Sequence, residues 1–217
     1  MFFLQELFQG DPIPGLIQIG VVIFSICCHE FAHAWTALQQ GDATAADAGH
    51  LTLNPLKQMG VFSLIALLFL GIAWGAVPVN PSRMKHKYSH MLVALAGPAM
   101  NLLLFALFTI AYVVNADFIH NPGLKLLTWL GGMLNVVLFI FNLLPIPPLD
   151  GWTVFGQRLC RHLNFNSEFI KGAAVFLVLL LLFSGQYFFY VGQKVFVFGV
   201  ENIQFVLVHW FHLVPGV

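Results

Sequence analysis

The chain has 217 residues, of which 59% are hydrophobic and only 8% charged, and nine Lys and Arg balance nine Asp and Glu. Soluble domains carry about a quarter charged residues, so this composition, with a mean hydropathy of +0.85, excludes an ordinary soluble domain and predicts an integral membrane protein. The zero net charge and the lack of a basic block predict no nucleic acid partner. Apolar stretches of about twenty residues, enough to cross about 30 Å of hydrocarbon, recur along the chain. They are continuous rather than alternating, which predicts helices and not a barrel.

Met1 to Asp11 contains Glu6 and Asp11 but no Lys or Arg, so no cleaved signal peptide is expected and the first helix should be retained. Residues 14 to 38 form the first expected span, ending before the polar Gln39-Gln40-Gly41-Asp42. Its C-terminal half reads His29-Glu30-Phe31-Ala32-His33, an HExxH pattern. On a helix, histidines four apart share a face and can converge on one ion, and Glu30 beside them is placed to take a proton from a water. After a polar link with Asp42, Asp47 and His50, the string LTLNP, Leu51 to Pro55, has the composition of a short extended segment. Val61 to Ala76 is apolar but only about sixteen residues long and contains Gly71 and Gly75, so it is a short span or a re-entrant element.

Val77 to His90, with two prolines and three basic residues, reads as a surface loop. Met91 to Val114 is a clear span that includes AGPAMN, Ala96 to Asn101. A polar turn at Asn115 to Gly123 leads to a further span, Leu124 to Leu144, which runs into PIPPLDG, Pro145 to Gly151. Three prolines in four positions cannot continue a helix, so the backbone should unwind there. Residues 152 to 168 read as a polar loop, Phe169 to about Phe189 as another span, and 195 to 214 as a weaker last one interrupted by Glu201, His209 and His212. There is no internal repeat, and 1–217 reads as one membrane domain of about five to six membrane segments.

Seven of the nine basic residues, Lys57, Arg83, Lys85, Lys87, Arg158, Arg161 and Lys171, fall in two regions. The positive-inside rule puts both on the cytoplasmic side. The histidines and Asp150 then face the cytoplasm and the N-terminus lies outside, provided that one of the three apolar segments between residues 40 and 150 does not fully cross. The short Val61 to Ala76 is the natural choice.

A catalytic zinc usually takes three protein ligands, so HEFAH needs one more. A carboxylate at membrane depth is costly and requires a partner, which makes Asp150, beside the unwound prolines, the leading candidate. His50 competes from a polar loop. Cys27, Cys28 and Cys160 are odd in number and lack metal-knuckle spacing, so they read as free buried thiols, with a metal role for Cys28 beside His29 as the alternative.

The strings HEFAHAW, LTLNPL, VPVNP, ALAGPAMN and FNLLPIPPLDG, in this order from about His29 to Gly151, resemble the site-2 protease family of intramembrane zinc metalloproteases, particularly its compact prokaryotic members. The resemblance implies an all-α transmembrane bundle with a three-helix catalytic core at about 14–152, C-terminal helices at about 169–214, and placement in the inner membrane of a prokaryotic cell. It implies that His29, His33 and Asp150 bind one zinc ion, that Glu30 is the catalytic base, and that Asn142 lies near the site and bonds the substrate carbonyl. The expected partners are transmembrane protein substrates and the lipid bilayer. Extended Thr52, Leu53 and Asn54 could receive an unwound substrate segment by strand addition. The chain departs from the family at His50, where many members have Arg, and at Gln58-Met59-Gly60, and it carries no inserted PDZ-type domain. The alternatives are an inactive metal-binding relative and a transporter of metal ions or protons; a transporter favours polar residues spread through several spans.

Overall fold

The structure is a computed structural model that describes residues 11–156 and 167–211. Its helices are α1 (Pro12–Gln39), α2 (Thr44–Asp47), α3 (Pro55–Gln58), α4 (Gly60–Leu70), α5 (Ser89–Val114), α6 (Pro122–Asn142) and α7 (Ser167–Phe211). A 3₁₀ turn lies at Pro81–Arg83, and π-helical turns lie at Asn115–Ile119 and Trp152–Gly156. Three helices start at an Asx-Pro pair, where the proline needs no N–H partner and the Asx side chain caps the first turn. Asp11 accepts from Ile13 N at 3.0 Å, Asn54 from Leu56 N at 2.9 Å and Asn121 from Leu124 N at 2.9 Å.

Helix α1 packs against α5 and α6, and α7 lies against the same two. Val21 of α1 meets Leu130, Met133 and Leu134 of α6, while Ile26 and Cys27 meet Met59 and Leu67. From α7, the buried Phe196 ring stands edge-on to Tyr112 at 5.3 Å. The exterior is apolar, with Phe62, Phe69, Leu103 and Phe198 all more than half exposed, whereas Ser25, Asn101 and Asn135 are fully buried. Large apolar side chains on the outside and fully buried polar ones among the apolar core depart from the usual arrangement of a soluble protein. Helix α1, α5 with its π-helical extension, and α6 are long and apolar enough to cross a membrane.

Several expectations change in detail. The first helix begins at Pro12, not Pro14, because Asp11 caps it. The apolar stretch from Val61 yields an α4 of 11 residues, about 16 Å long and half the hydrocarbon thickness. The chain turns at Gly71, which has φ 69°, and comes back to where α4 began. Ser63 Oγ donates to Trp74 O at 2.6 Å and accepts from Trp74 N at 2.9 Å, and Ala76 N donates to Gln58 O at 3.1 Å. The LTLNP string forms no strand, and none occurs among the described residues. Residues 51–54 are a bent strap: Gln58 Nε2 donates to His50 O at 2.9 Å and Thr52 O at 2.5 Å. The two segments expected near 169–189 and 195–214 are one continuous helix of 45 residues, α7. Gln193, Lys194 and Glu201 lower hydropathy locally, but no proline lies between 167 and 211 to break the backbone. Most of the loop read at 152–168, and residues 212–214 of the last segment, lie outside the described residues.

The loop from 77 to 90 is tied to the end of α1. Lys85 N donates to Gln40 O at 2.9 Å and Ser89 Oγ to Gln40 Oε1 at 2.7 Å. Buried Asp42 accepts from Thr44 N at 3.0 Å, from Thr44 Oγ1 at 2.5 Å and from Asn80 N at 2.5 Å. Burial pushes its carboxyl up, but the Thr44 and Asn80 donors, helped by Arg83, outweigh this and hold it below its ordinary value. A lowered folded-state pKa gives stability that is present above the ordinary value and lost as pH falls through the lowered one. Pepsin cleavage within residues 77–88 of the micelle-solubilised protein is therefore expected to accelerate as pH drops below about 4. Asp42→Ala should be cleaved at the faster rate throughout, with no step.

Candidate metal centre

The C-terminal half of α1 is enclosed by α5 and the polypeptide following α6, so His29, Glu30 and His33 are all buried. Both imidazoles are held at Nδ1. His33 Nδ1 lies 2.7 Å from Val93 O, and His29 Nδ1 lies 2.6 Å from Asn101 Oδ1. The Nε2 atoms are thereby turned toward each other, 2.9 Å apart. Asp150 is delivered by the unwound residues after α6, which fold through short turns with Ile146 N donating to Leu144 O at 2.8 Å and Leu149 N to Ile146 O at 2.9 Å. Its carboxylate faces both rings, with Oδ2 3.1 Å from His29 Nε2 and Oδ1 3.3 Å from His33 Nε2.

These three side chains place one ligand atom each within 4.8 Å of one another, and among the described residues they form the only such group of His, Cys, Asp or Glu. A backbone carbonyl can only accept, so His33 Nδ1 carries a proton, and in the neutral ring, the form that binds a metal, Nε2 then carries a lone pair. That lone pair faces a carboxylate in a buried setting, and Asp150 Oδ2 has no hydrogen-bond partner. Converging acceptors without a positive charge between them are unfavourable at low dielectric. A cation resolves the conflict, and two imidazole nitrogens with one carboxylate suit zinc with a position left for water.

Two glycines permit the close approach of backbone to these groups. A Cβ on Gly97 of α5 would lie 2.3 Å from His33 Nε2 and 2.4 Å from His29 Nε2, inside the centre itself. A Cβ on Gly75 would lie 2.3 Å from Glu30 Oε1. The centre opens on a cavity of about 620 Å³ lined by Glu30, Asn142 and the returning segment from Ile72 to Val77. Asn142 Nδ2 donates to Leu138 O at 3.0 Å.

The residues read from the sequence thus divide. His29, Glu30, His33, Asn142 and Asp150 come together around one cavity. Thr52, Leu53 and Asn54 do not line it; Thr52 Oγ1 accepts from Asn54 N at 3.2 Å, and Asn54 caps α3. His50 pairs with Gln58 Oε1 at 3.2 Å, outside the His-His-Asp group. Cys27 and Cys28 are buried free thiols outside it too, and Cys160 lies outside the described residues. Sequence reasoning gave no role to Asn101, Gly97 or the Ile72–Val77 wall. For Asn101 a signal was present: an amide in an apolar helix demands a partner.

Gly97→Ala should insert a methyl group where the metal belongs, against two rings already pinned at Nδ1. Purified Gly97→Ala is expected to retain wild-type helicity while zinc affinity, read by chelator competition, falls at least about tenfold, the size of effect seen when metal-site geometry is perturbed. Wild-type affinity would mean that the ion does not sit between the two Nε2 atoms.

Comparison with known proteins finds relatives named for zinc chemistry. Three relatives each carry the name "Putative zinc metalloprotease": YwhC of Bacillus subtilis, 35% identical over 81% of this chain and 84% of its own length; Rip2 of Mycolicibacterium smegmatis, 37% identical over 73% and 64%; and Rip2 of Mycobacterium tuberculosis H37Rv, 32% identical over 80% and 72%. No protein-family model matches the chain, and no solved structure matches it. With a His-His-Asp centre beside a buried glutamate, and relatives above 30% identity over most of both lengths, the chain belongs to the family of zinc metalloproteases that includes YwhC and Rip2, consistent with the site-2 protease resemblance of its motifs.

Proposed function

We propose that this chain is an intramembrane zinc metalloprotease of the site-2 type, hydrolysing peptide bonds within or beside transmembrane helices of membrane-tethered proteins. Regulated release of such proteins and clearance of signal-peptide remnants are the tasks this chemistry suits. The observation that carries the reading is the convergence of His29, His33 and Asp150 with Glu30 on one cavity, inside a bundle whose three long helices have apolar exteriors. A soluble peptide needs no such setting. A helix already in the bilayer can reach it without leaving lipid.

His29, His33 and Asp150 would hold one zinc ion, which when bound supplies a Lewis acid for the scissile carbonyl and makes a water nucleophile available at neutral pH. Glu30 accepts the proton of the attacking water and later passes it to the leaving amine nitrogen. The Asn142 amide, on the cavity wall, donates to the carbonyl oxygen as it gains charge, a contact worth about 3 kcal/mol in other hydrolases. The buried wall around Glu30 keeps bulk water from competing for these groups. Lys57, Arg83, Lys85 and Lys87 fall in the segments after α1, and Lys85 N bonds Gln40 O and Arg83 bonds Thr44 at the end of α1 that bears His33, so the positive-inside rule supports a cytoplasmic-facing site in the inner membrane of a prokaryotic cell.

Glu30→Gln keeps the shape of the side chain but cannot take a proton. It should bind zinc like wild type and cleave single-span test substrates at least about a hundredfold more slowly; equal cleavage would remove Glu30 as the base.

A peptide bond in a helix is shielded by its own hydrogen bonds, so the substrate must unwind and its backbone groups need new partners. Thr52, Leu53 and Asn54, exposed or half-buried and outside any ladder, would receive it by strand addition. The double substitution Thr52→Pro with Leu53→Pro, which spares the Asn54 cap, should slow cleavage of a helical substrate at least about tenfold while zinc content is unchanged. Unaltered cleavage would exclude this segment as the receiver.

A further inference from the structure

Ser25 on α1, Asn101 on α5 and Asn135 on α6 are fully buried polar residues in apolar helices. They join end to end behind His29. Asn135 Nδ2 donates to Gly131 O at 2.8 Å and to Ser25 Oγ at 2.8 Å. Asn101 Nδ2 donates to Asn135 Oδ1 at 2.9 Å, and Asn101 Oδ1 meets His29 Nδ1 at 2.6 Å. None of the three belongs to the HExxH motif or to the Asp150 segment.

The direction of this chain follows from its far end. Gly131 O is a backbone carbonyl and can only accept, so the Asn135 atom beside it must be the amide nitrogen. Asn135 must then turn its oxygen to Asn101, which can answer only with its own nitrogen. That leaves the Asn101 oxygen facing His29. An oxygen acceptor at 2.6 Å requires a proton on His29 Nδ1, and a neutral ring protonated there keeps its lone pair on Nε2, the atom that faces Asp150 and His33. Turning either amide over would set oxygen against oxygen, or nitrogen against nitrogen, in a buried site with no water to intervene.

We propose that Asn135 and Asn101 are positioning residues that carry the polarity of the α6 backbone, through two amides, to the tautomer of His29, so that Nε2 is kept as a metal ligand. His33 receives the same service directly from Val93 O. His29 Nδ1 instead meets the side-chain oxygen of Asn101, an equivalent acceptor set by a relay across three helices. Asn135 is thus required for metal binding although it does not itself line the cavity, which it meets through Asn101.

The proposal rests on the zinc-site reading, and a double-mutant cycle on the full chain in detergent micelles separates the two. Zinc affinity is measured by chelator competition and the site is checked by the absorption spectrum of added Co²⁺. Asn135→Leu removes the acceptor that orients Asn101, and zinc affinity is expected to fall about 10- to 100-fold, as for loss of a partner that orients a metal-bound histidine. In the Asn101→Asp background, His29 faces a carboxylate that accepts whichever way it is turned, so Asn135→Leu should then change affinity less than about twofold. Loss of helix–helix packing alone would weaken binding equally in both backgrounds, and that result would overturn the relay. If Asn135→Leu does not fold, Asn135→Ser serves, because its hydroxyl can bond back to Gly131 O yet is too short to reach Asn101; the same cycle and the same outcomes apply. Zinc binding by wild type that does not depend on His29, His33 or Asp150 would overturn the metal-site reading and the relay together.

Discussion

Three acceptor atoms aimed at one buried point are the constraint on which this fold depends. With each neutral ring protonated at Nδ1, two imidazole nitrogens 2.9 Å apart and a carboxylate about 3 Å from each repel one another in a medium that screens poorly. Each neighbouring element is shaped by the need to hold them there. Helix α5 comes close enough that a single methyl group on Gly97 would enter the centre. The residues after α6 give up helical bonds so that Asp150 can point back toward α1. A metal ion repays these costs, and without a cation they have no counterpart in the rest of the molecule.

The buried amides behind His29 are poor candidates for mere adhesive. Hydrogen bonds between transmembrane helices contribute about 0.6 kcal/mol on average, because helices apart in a membrane also find partners. Three side-chain links of that size, Asn135 to Ser25, Asn101 to Asn135 and His29 to Asn101, add little to a bundle already packed through Val21, Leu130, Met133 and Leu134. Their geometry carries more information than their energy. They are fully buried, each amide is used in one orientation only, and they end on a ring nitrogen of a candidate ligand. Nor do they form an open path through the bundle of the kind a transporter of ions or protons would need.

What could be read from the sequence was what depends on local rules or on charge. Spacing put His29 and His33 on one face, the prolines before Asp150 predicted unwound backbone, and the Asx-Pro pairs mark helix starts at Asp11, Asn54 and Asn121. Hydropathy weighed above the cap puts the first and third of these starts two residues late, at Pro14 and Leu124, and passes over the second. Hydropathy also split α7, since Gln193, Lys194 and Glu201 make a polar interval but leave the backbone free to continue as helix. The pairing of Asn101 with Asn135, and of Asp42 with Asn80, joins residues 34 and 38 positions apart. Such contacts are fixed by how helices pack and not by any local pattern. The amides themselves were visible as polar residues in apolar spans; their partners were not.

Two stretches of irregular backbone interrupt the helices of the bundle, the return from Gly71 toward Asn80 and the turns from Leu143 to Leu149. Backbone that leaves its helical bonds inside a membrane is tolerated only where protein covers it or where it lines a water-filled space. Both stretches reach the same cavity, one bringing Gly75 against Glu30 and the other bringing Asp150 against the histidines. A fully crossing α4 would have satisfied its own backbone and could not have supplied this wall. The short helix and the three prolines are therefore complementary: each frees a stretch of backbone that pairs with protein, as Trp74 does with Ser63 and Leu149 with Ile146, and that helps to line the one cavity. The HExxH helix stands between them, where water can meet Glu30 while the outer faces of the bundle remain apolar.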